Sequence, residues 1–259
     1  MKSIRIPNSE CTMRTNFLLL SIASAAFAIF IHPTTAAPGD LDLTFGGGTG
    51  KVTTDVNGIE GESDEANAVV IQRDGKIVVE GRSHRESLSD FGMARYNPDG
   101  TLDTTFGANA NGKVITSIGS GSSGGQSVAL QSDGKIVVAG WAQSDEPAKD
   151  KDFVVVRYQT DGSLDLTFNA TGKVVADFEG MDDWANSIAI QPDGKIVAAG
   201  FSRNTANGTG SQFAVARYNA DGSLDTTFSG DGKVNTAFGT GGRGGRGESM
   251  ALQTDGKIV

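Results

Sequence analysis

The residue types that could support nucleophilic catalysis occur together at one place, around His84. Ser83 precedes this histidine and Asp90 lies six residues beyond it, so a hydroxyl, an imidazole and a carboxylate are close in sequence. Such a set could form a hydrolase triad, in which the histidine activates the serine hydroxyl. A lone histidine in a variable loop is more often simply solvated. We therefore assign no catalytic residue and predict no enzymatic activity.

Aspartate and arginine recur at fixed places along the chain, where they could bind a cation or fix a turn. The recurring residues are Asp42, Asp103, Asp165 and Asp225, with Arg95, Arg157 and Arg217. Catalytic groups are rarely copied into every repeat, so we expect an Arg–Asp or Asp–backbone contact that fixes a turn. The alternative is Ca²⁺, because the turns NPDGTLD, QTDGSLD and NADGSLD carry oxygens at alternate positions. Their spacing does not match a DxDxDG loop, so we predict no cofactor and keep calcium as an alternative.

These residues belong to a repeat that organises nearly the whole chain. A strand–turn–strand pattern, NAVVIQRDGKIVVEG at residues 67–81, returns three more times, and the aspartates of its turn are 59, 60 and 62 residues apart. Each repeat also contains LDxTF followed by GKV, and an aromatic strand ending in Arg-Tyr precedes the last three LDxTF motifs. A period of this length marks a repeat architecture. The predicted repeats span 41–101, 102–163, 164–223 and 224–259.

Each repeat is predicted to form four short antiparallel strands. The Asp-Gly turn favours a type I′ hairpin, and KIVVAG is apolar at successive positions, as in a strand covered on both faces. We expect the GKV strand, the two hairpin strands and the aromatic strand to pair in that order, giving blades at about 51–96, 113–158 and 173–218. The predicted fold class is all-β, a β-propeller-like array of four-stranded antiparallel blades with three complete repeats and one truncated repeat. A sandwich or solenoid is the alternative.

The repeat markers QxDGKIVVAG, FxVxRYxxDGxLDxTFG and DGKV together resemble the delta-60 repeat family of bacterial, mostly exported proteins. The resemblance covers nearly everything after residue 36. It implies a propeller-like β fold and implies no activity. The fourth repeat stops at Val259, in its third strand, and no aromatic strand follows. We therefore expect either a piece of a longer chain or a ring that closes with a partner copy.

The first 36 residues have the anatomy of a secretory signal peptide. Basic residues precede Phe17–Ile31, an uncharged run of 15 residues that is too short to span a membrane, and small residues follow it. We expect a mature protein that is secreted, periplasmic or at the cell surface, with no membrane span. Its loss of Cys11, the only cysteine, and of His32, one of two histidines, excludes a thiolate nucleophile and a multi-histidine metal site. The net charge of −9 argues against a nucleic-acid partner.

The connections between strands divide into a uniform set and a variable set at opposite ends of the strands. The turns QxDGK and xxDGxLDxTFG are nearly the same in every repeat and define the uniform end. The remaining loops, among them those at 82–90, 141–152 and 179–184, differ in each repeat and define the variable end. Function usually lies in such loops on a rigid scaffold. We expect an acidic, tryptophan-bearing contact surface there, formed by Trp141, Asp182, Asp183 and Trp184.

The predicted function is that of an exported scaffold or binding module. Aromatic groups with acidic charge favour a cationic or carbohydrate ligand, so the partner would be a protein, a glycan or a cell-surface ligand. The alternatives are a propeller-fold enzyme, such as a lyase or hydrolase, and a calcium-dependent surface-binding protein. An enzyme would gather non-repeated polar residues at the channel, whereas a scaffold would carry them only in peripheral loops.

Glu80 departs from the repeat pattern, because the equivalent positions hold Ala139 and Ala199. A carboxylate on a buried central strand is costly unless it is paired. We therefore expect Glu80 to reach solvent at the open end of the sheet, or to pair with Arg82 or Arg85.

Overall fold

The computed structural model describes residues 39–143, 150–178, 182–204, 210–238 and 245–259. The signal peptide predicted at residues 1–36 lies outside these ranges. Within them, no helix is both long enough and apolar enough to cross a membrane. Residues 41–259 belong to one compact unit, which contains all the sheets.

The described residues form three four-stranded antiparallel sheets and almost no helix, apart from a 3-10 turn at Gly46–Gly48. Sheet 1 contains β1 (Asp64–Ile71), β2 (Ile77–Arg85), β3 (Leu88–Tyr96) and β4 (Lys113–Thr116). Sheet 2 contains β5 (Ser123–Leu130), β6 (Ile136–Gln143), β7 (Lys151–Tyr158) and β8 (Lys173–Ala176). Sheet 3 contains β9 (Asp183–Ile190), β10 (Ile196–Asn204), β11 (Gly210–Tyr218) and β12 (Lys233–Thr236). The predicted all-β array of four-stranded units is confirmed, and in the described part of the chain the sheets do not close into a ring.

The grouping of strands differs from the prediction, because the GKV strand closes the sheet before it rather than opening the next one. In sheet 1, β4 pairs with β3 between Phe91 and Thr116. The long connection after β3 turns the chain back alongside that strand, where Tyr96 forms a bridge with Leu102. This reversal brings GKV against the aromatic strand that precedes it. The sheets therefore span 64–116, 123–176 and 183–236 rather than 51–96, 113–158 and 173–218.

The β1–β2 hairpin also closes with a different turn from the predicted one. The Gly75 N–H donates to the Gln72 carbonyl oxygen at 2.9 Å, and Gly75 has a φ of 82° whereas Asp74 has no positive φ. This is a type I turn followed by a left-handed glycine, and not a type I′ turn. Glycine suits the last position because it adopts a positive φ without a steric cost. The same geometry recurs at Gly134 and Gly194.

The three sheets pack face to face, and the middle sheet is buried on both faces. Along β6, Ile136 and Val138 pack into the hydrophobic cluster shared with sheet 1, whereas Val137 and Ala139 pack into the cluster shared with sheet 3. All four side chains are fully buried. Burial on both sides explains the unbroken apolar run of this strand, as predicted.

A buried charged cluster fixes the uniform end of each sheet. In sheet 2, Arg157 Nε and Lys135 Nζ lie 2.8 and 3.3 Å from Asp165 Oδ2. The amide and hydroxyl of Thr167 donate to Asp165 Oδ1 at 3.1 and 2.7 Å. A second nitrogen of Arg157 donates to the main-chain oxygen of Ala220, in sheet 3's long connection. The cluster thus joins the hairpin, the aromatic strand and the LDxTF turn of one sheet, and also links that sheet to the next.

Equivalent clusters occur in the other sheets, so the expected Arg–Asp contact is confirmed. They consist of Lys76, Arg95 and Asp103 in sheet 1, and of Lys195, Arg217 and Asp225 in sheet 3. Burial acts to raise the pKa of Asp165, but the hydrogen bonds from Thr167 and the charge of Arg157 outweigh it and lower that pKa to about 2. These carboxylates are therefore ionised at neutral pH, as a paired structural group requires.

Glu80 is enclosed and unpaired, so the prediction that it reaches solvent or an arginine is wrong. Its side chain is 2% exposed, and neither carboxyl oxygen has a hydrogen-bond partner among the described residues. Arg82 pairs with Glu65 instead, and Arg85 pairs with Asp90. Burial raises the pKa of Glu80 well above its ordinary value, which favours the neutral acid.

The space for Glu80 comes from a glycine in the next sheet. Gly125 of β5 lies against it, and a Cβ at Gly125 would be only 1.4 Å from Glu80 Oε1. The equivalent pair between sheets 2 and 3 is Ala139 with Ala185, and both belong to one hydrophobic cluster. The large side chain of Glu80 in sheet 1 thus fits because Gly125 in sheet 2 has no side chain.

We expect Asp165→Asn to lower the free energy of unfolding by about 3 kcal/mol at pH 7, because it leaves the buried Arg157 guanidinium without its anion. A carboxyl whose folded pKa is lowered to about 2 contributes stability above its ordinary value of 3.8 and loses it as the pH falls toward 2. The difference between the two proteins, measured by urea denaturation, should therefore shrink over that range. The control is Asp133→Asn, at an exposed carboxylate 3.4 Å from Lys135 Nζ, which should change stability by less than about 0.5 kcal/mol.

A double-mutant cycle tests the match between Glu80 and Gly125. Gly125→Ala alone should be strongly destabilising, because the new methyl group collides with the enclosed carboxyl. Combined with Glu80→Ala, the same methyl group recreates the alanine pair of the next junction and should be tolerated. We expect a coupling free energy of about 2 kcal/mol from thermal or urea unfolding. Additive effects of the two substitutions would show that the residues do not share one space.

Candidate functional site

The predicted contact tryptophans lie at the variable end, but in strands rather than in loops. Trp141 is in β6, opposite Phe153 of β7, and Trp184 is in β9, opposite Phe201 of β10. The hairpin strand continues beyond Gly140 because a register shift in β5 absorbs one residue and lets the pairing resume. The sequence suggested that the strand ends at Gly140, so Trp141 was assigned to the following loop instead of to β6.

Trp141 and Trp184 pack against each other across the junction between sheets 2 and 3. Their ring centroids are 5.0 Å apart, and Lys151 Nζ lies 4.3 and 4.2 Å from the two centroids. Burial lowers the pKa of the Lys151 ammonium, although the charge of Asp182 acts to raise it. Trp141 is only 3% exposed, whereas Trp184 is partly exposed. Trp141 therefore belongs to the packing, and Trp184 is the ring that a ligand can reach.

The equivalent position at each of the other junctions carries a different pair of residues. Between sheets 1 and 2, Arg82 covers Gly124, where a Cβ would lie 2.3 Å from the arginine Cγ. Beyond sheet 3, the Arg246 guanidinium lies 4.7 Å from the Phe201 ring centroid. No motif within one repeat predicts these pairs, because each partner comes from the following repeat.

A cleft of about 290 Å³ opens beside Trp184. Asp182 and Arg203 line it and form an ion pair, with 3.1 Å between the carboxylate Oδ2 and the guanidinium Nη1. Arg246 and Glu248, both exposed, also line it. Phe201 also lines the cleft. Aromatic rings with a few charged groups are the usual lining of a site that binds a small polar molecule.

Asp183 is enclosed within the junction, although its neighbours in sequence line the cleft. It is fully buried, and its Oδ2 accepts a hydrogen bond from the Phe178 amide at 2.7 Å. Successive side chains of a strand project to opposite faces, so Asp183 points away from the face of Trp184. Burial, with the negative charges of Asp177 and Asp152, raises the pKa of Asp183 to about 8.

The three residue types considered for a hydrolase triad do not meet in the required geometry. Ser83 and Asp90 face each other across β2 and β3, and both are buried. His84, adjacent to Ser83, projects to the opposite face, where its Nε2 lies 3.7 Å from Glu65 Oε1. Ser123 also has the GxSxG spacing of a nucleophile elbow, but it begins a strand and is buried, whereas an elbow serine sits exposed on a strand-to-helix turn.

A larger cleft, of about 770 Å³, lies at the uniform end between the hairpin turns of the three sheets. Its lining recurs from sheet to sheet, with Gln72, Gln131 and Gln191 at equivalent positions. The turn carboxylates considered as calcium ligands are engaged by their own turns, since Asp161 Oδ1 accepts from the Ser163 amide and hydroxyl at 2.9 and 2.6 Å. We regard this cleft as a product of the repeated hairpins, and the cleft beside Trp184 as the better candidate site.

Comparison with known families finds a match to the family described as "Domain of unknown function (DUF5122) beta-propeller". The matched stretches are residues 72–106, 131–168 and 191–228, which together cover less than half of the chain. Each stretch runs from a hairpin turn through the next strand and the aromatic strand to the LDxTF motif, so it begins and ends at the uniform end. This chain is therefore similar to that β-propeller repeat family in the part that builds the scaffold.

Among solved structures, the chain is similar to one titled as the crystal structure of an unknown function protein from Dyadobacter fermentans DSM 18053. The identity is 11%, the alignment covers 74% of this chain and 73% of the other, and the TM-score is 0.26. No curated protein matches the chain.

The two tryptophans should differ in what they contribute to stability. We expect Trp141→Ala to lower the free energy of unfolding by about 3 kcal/mol, because it empties a fully packed site. Trp184→Ala should cost less, since part of that ring is already in water. Urea denaturation followed by circular dichroism measures both. Equal losses would mean that Trp184 is as structural as Trp141, and would remove it as a contact residue.

Proposed function

We propose that this protein is an exported binding module that holds a glycan in the cleft beside Trp184 and has no catalytic activity. The scaffold would be of the delta-60 repeat kind, an assignment supported by the LDxTF and QxDGKIVVAG motifs together with the match to the DUF5122 β-propeller family. Export is supported by the signal-peptide pattern of residues 1–36.

The observation that carries the proposal is a partly exposed indole at a position where the other repeats hold none. The residues equivalent to Trp184 are Glu65, Gly124 and Arg246. Trp184 packs against Trp141 and Phe201, with 5.0 and 6.1 Å between ring centroids, and remains partly exposed. A ring that is already fixed loses little conformational entropy when a ligand contacts it. Tryptophan and arginine are also the residues most enriched among binding hot spots.

The groups around the indole suit a sugar better than a simple cation. A sugar ring presents apolar C–H groups that can pack against the exposed part of an indole, and hydroxyl groups that both donate and accept hydrogen bonds. Asp182 and Glu248 offer acceptors, and Arg203 and Arg246 offer only donors. The two guanidinium groups balance the two carboxylates of the cleft, so a small cationic ligand gains no net electrostatic attraction there. The ligand class that uses all of these groups is a glycan.

The same contacts favour binding over catalysis. A glycoside hydrolase needs one carboxyl group to give a proton and another to act as base or nucleophile. Asp182 is already engaged by Arg203 in an ion pair, which orients it for hydrogen bonding. A binding site requires nothing more of it.

A glycan array tests the proposal, with purified full-length chain as the probe and calorimetry on the glycans that bind. We expect Trp184→Ala to weaken binding at least tenfold, and Asp182→Ala to weaken it by about tenfold, because each removes a central contact. The matched control is Asp193→Ala, at a hairpin turn of the uniform end in the same sheet, which should bind as the unaltered chain does.

Two results would overturn the proposal. One is unchanged affinity in Trp184→Ala while a uniform-end variant loses binding, which would place the contact at the other end. The other is the release of new reducing ends when the bound glycan is incubated with the protein, since that is the signature of a hydrolase rather than a binding module.

A further inference from the structure

The face of sheet 1 that points away from sheet 2 carries an open groove of about 480 Å³. Val78 packs against sheet 2, so its neighbours Ile77 and Val79 project to this other face. Both remain partly exposed, although the residues at the same places in sheet 2, Ile136 and Val138, are fully buried. The groove is lined by apolar side chains from sheet 1 and from the segment that precedes it: Phe45, Val52, Ile77, Val79 and Ala94.

The segment before sheet 1 lies on this face in the way that β4 lies on sheet 2. The Tyr96 hydroxyl donates to Thr54 Oγ1 at 2.7 Å, and the Tyr158 hydroxyl donates to Thr116 Oγ1 of β4 at 2.9 Å. Both segments also carry the GKV motif. Residues 51–54 therefore occupy the position of an outer strand, equivalent to β4.

An outer strand in this fold pairs with an aromatic strand, but residues 51–54 do not. β4 pairs with the aromatic strand β3, whereas residues 51–54 pair with no strand in the described ranges. Phe91 and Met93 of β3 pack against sheet 2, and Phe153 and Val155 of β7 pack against sheet 3. The groove on sheet 1 therefore matches an aromatic side chain followed, two residues later, by an aliphatic one. An unpaired edge beside such a groove is a template for a further strand.

The carboxylate of Asp42, three residues before Phe45, lacks the cations that its equivalents bind. Its Oδ1 accepts hydrogen bonds from the Thr44 hydroxyl and amide at 2.6 and 2.9 Å, so the LDxTF turn is already formed. These bonds lower the pKa of Asp42, which is therefore ionised at neutral pH. Asp165 makes the same turn and also binds Arg157 of the aromatic strand at 2.8 Å. Asp42 is exposed, and no lysine or arginine pairs with it within the part of the chain that the structure describes.

The ring of Phe45 also lacks the guanidinium that covers its equivalents. Arg95 lies 4.3 Å from the centroid of Phe106, and Arg157 lies 4.6 Å from that of Phe168. In each case the arginine comes four residues after the phenylalanine that begins the aromatic motif. No cation covers the partly exposed Phe45 among the residues described. One arginine at that spacing would satisfy the carboxylate and the ring together.

We propose that this face of sheet 1 is a docking site for an extended segment of another protein, with an aromatic residue, an aliphatic residue two positions later and an arginine two positions after that. The segment pairs antiparallel with residues 51–54 and inserts its two apolar side chains into the groove. Its guanidinium lies between Asp42 and the ring of Phe45. Main-chain pairing along an exposed edge provides affinity, and the alternate side chains provide specificity. This site goes beyond the proposed glycan cleft, which lies beside Trp184 of sheet 3.

The probe is a fluorescent peptide with the sequence of residues 211–219, SQFAVARYN, which carries the three side chains at the required spacing. We expect saturable binding to the full-length chain, followed by fluorescence anisotropy. A peptide with glutamine in place of the arginine should bind about tenfold more weakly, because it loses the charge-assisted contact. A peptide with serine in place of both the phenylalanine and the valine should bind at least tenfold more weakly, because it leaves the groove unfilled.

Asp42→Asn identifies the site, and its exposed position means that the fold should persist. We expect it to weaken binding of the arginine peptide about tenfold and to leave binding of the glutamine peptide unchanged, so that the two changes are coupled. The matched control is Asp161→Asn, an exposed turn carboxylate with the same two hydrogen bonds, from Ser163. It should bind both peptides as the unaltered chain does.

Sedimentation velocity, with and without the peptide, distinguishes the possible occupants of this face. A chain that sediments as a monomer and binds the peptide supports the proposal. Self-association that excludes the peptide would assign the face to a second copy and overturn the proposal. So would failure of the arginine peptide to bind, or an equal loss of affinity for both peptides in Asp42→Asn.

Discussion

The buried aspartates of the last three LDxTF motifs, Asp103, Asp165 and Asp225, are the contacts on which the array depends. In sheet 2, Asp165 receives a guanidinium from the aromatic strand, an ammonium from the hairpin and two hydrogen bonds from its own turn. The guanidinium also reaches a main-chain oxygen of sheet 3. Three segments that are distant along one repeat, and a fourth from the next repeat, are therefore held by one carboxylate. Because breaking a buried ion pair is far more costly than breaking an exposed one, these residues tolerate little change.

Because the charged clusters join the sheets at the uniform end, the residues at the variable end can differ from sheet to sheet. The hairpins and long connections meet at the uniform end, where every sheet uses the same residues. At the variable end, each side chain has only to fit its neighbour in the adjacent sheet. Each junction meets this requirement with a different pair: an arginine over a glycine, two tryptophans packed against each other, or a guanidinium on a phenylalanine. The glycan cleft that we propose lies in this freely varied region, beside Trp184 of β9.

Much of the fold could be predicted from the sequence because its signals are local. Turn glycines, alternating strands and the 60-residue spacing each act within one repeat, and together they indicated four-stranded antiparallel units. The hairpin turn type was a local error, but the larger errors concern contacts that one repeat does not contain. GKV was assigned to the wrong sheet because the reversal after Tyr96 depends on a bridge to Leu102. Glu80 was expected to find a charge because its real neighbour, Gly125, lies in another repeat. The cluster of Asp152 with Asp183 was invisible for the same reason, since only the packing of two sheets brings these residues together.

The match between Glu80 and Gly125 means that the repeats are not interchangeable units. The residues on the two sides of each junction are encoded in successive repeats. The sequence therefore specifies the order of the repeats as well as their number. Excising the second repeat would bring the Glu80 carboxyl against the methyl group of Ala185, where the present order supplies a glycine. Duplicating the second repeat would place Trp141 of the first copy against Gly124 of the second copy. No pair of indole rings would then form at the new boundary. Gain or loss of repeats, the usual route by which such arrays change length, would therefore have to be followed by compensating substitutions at every new boundary.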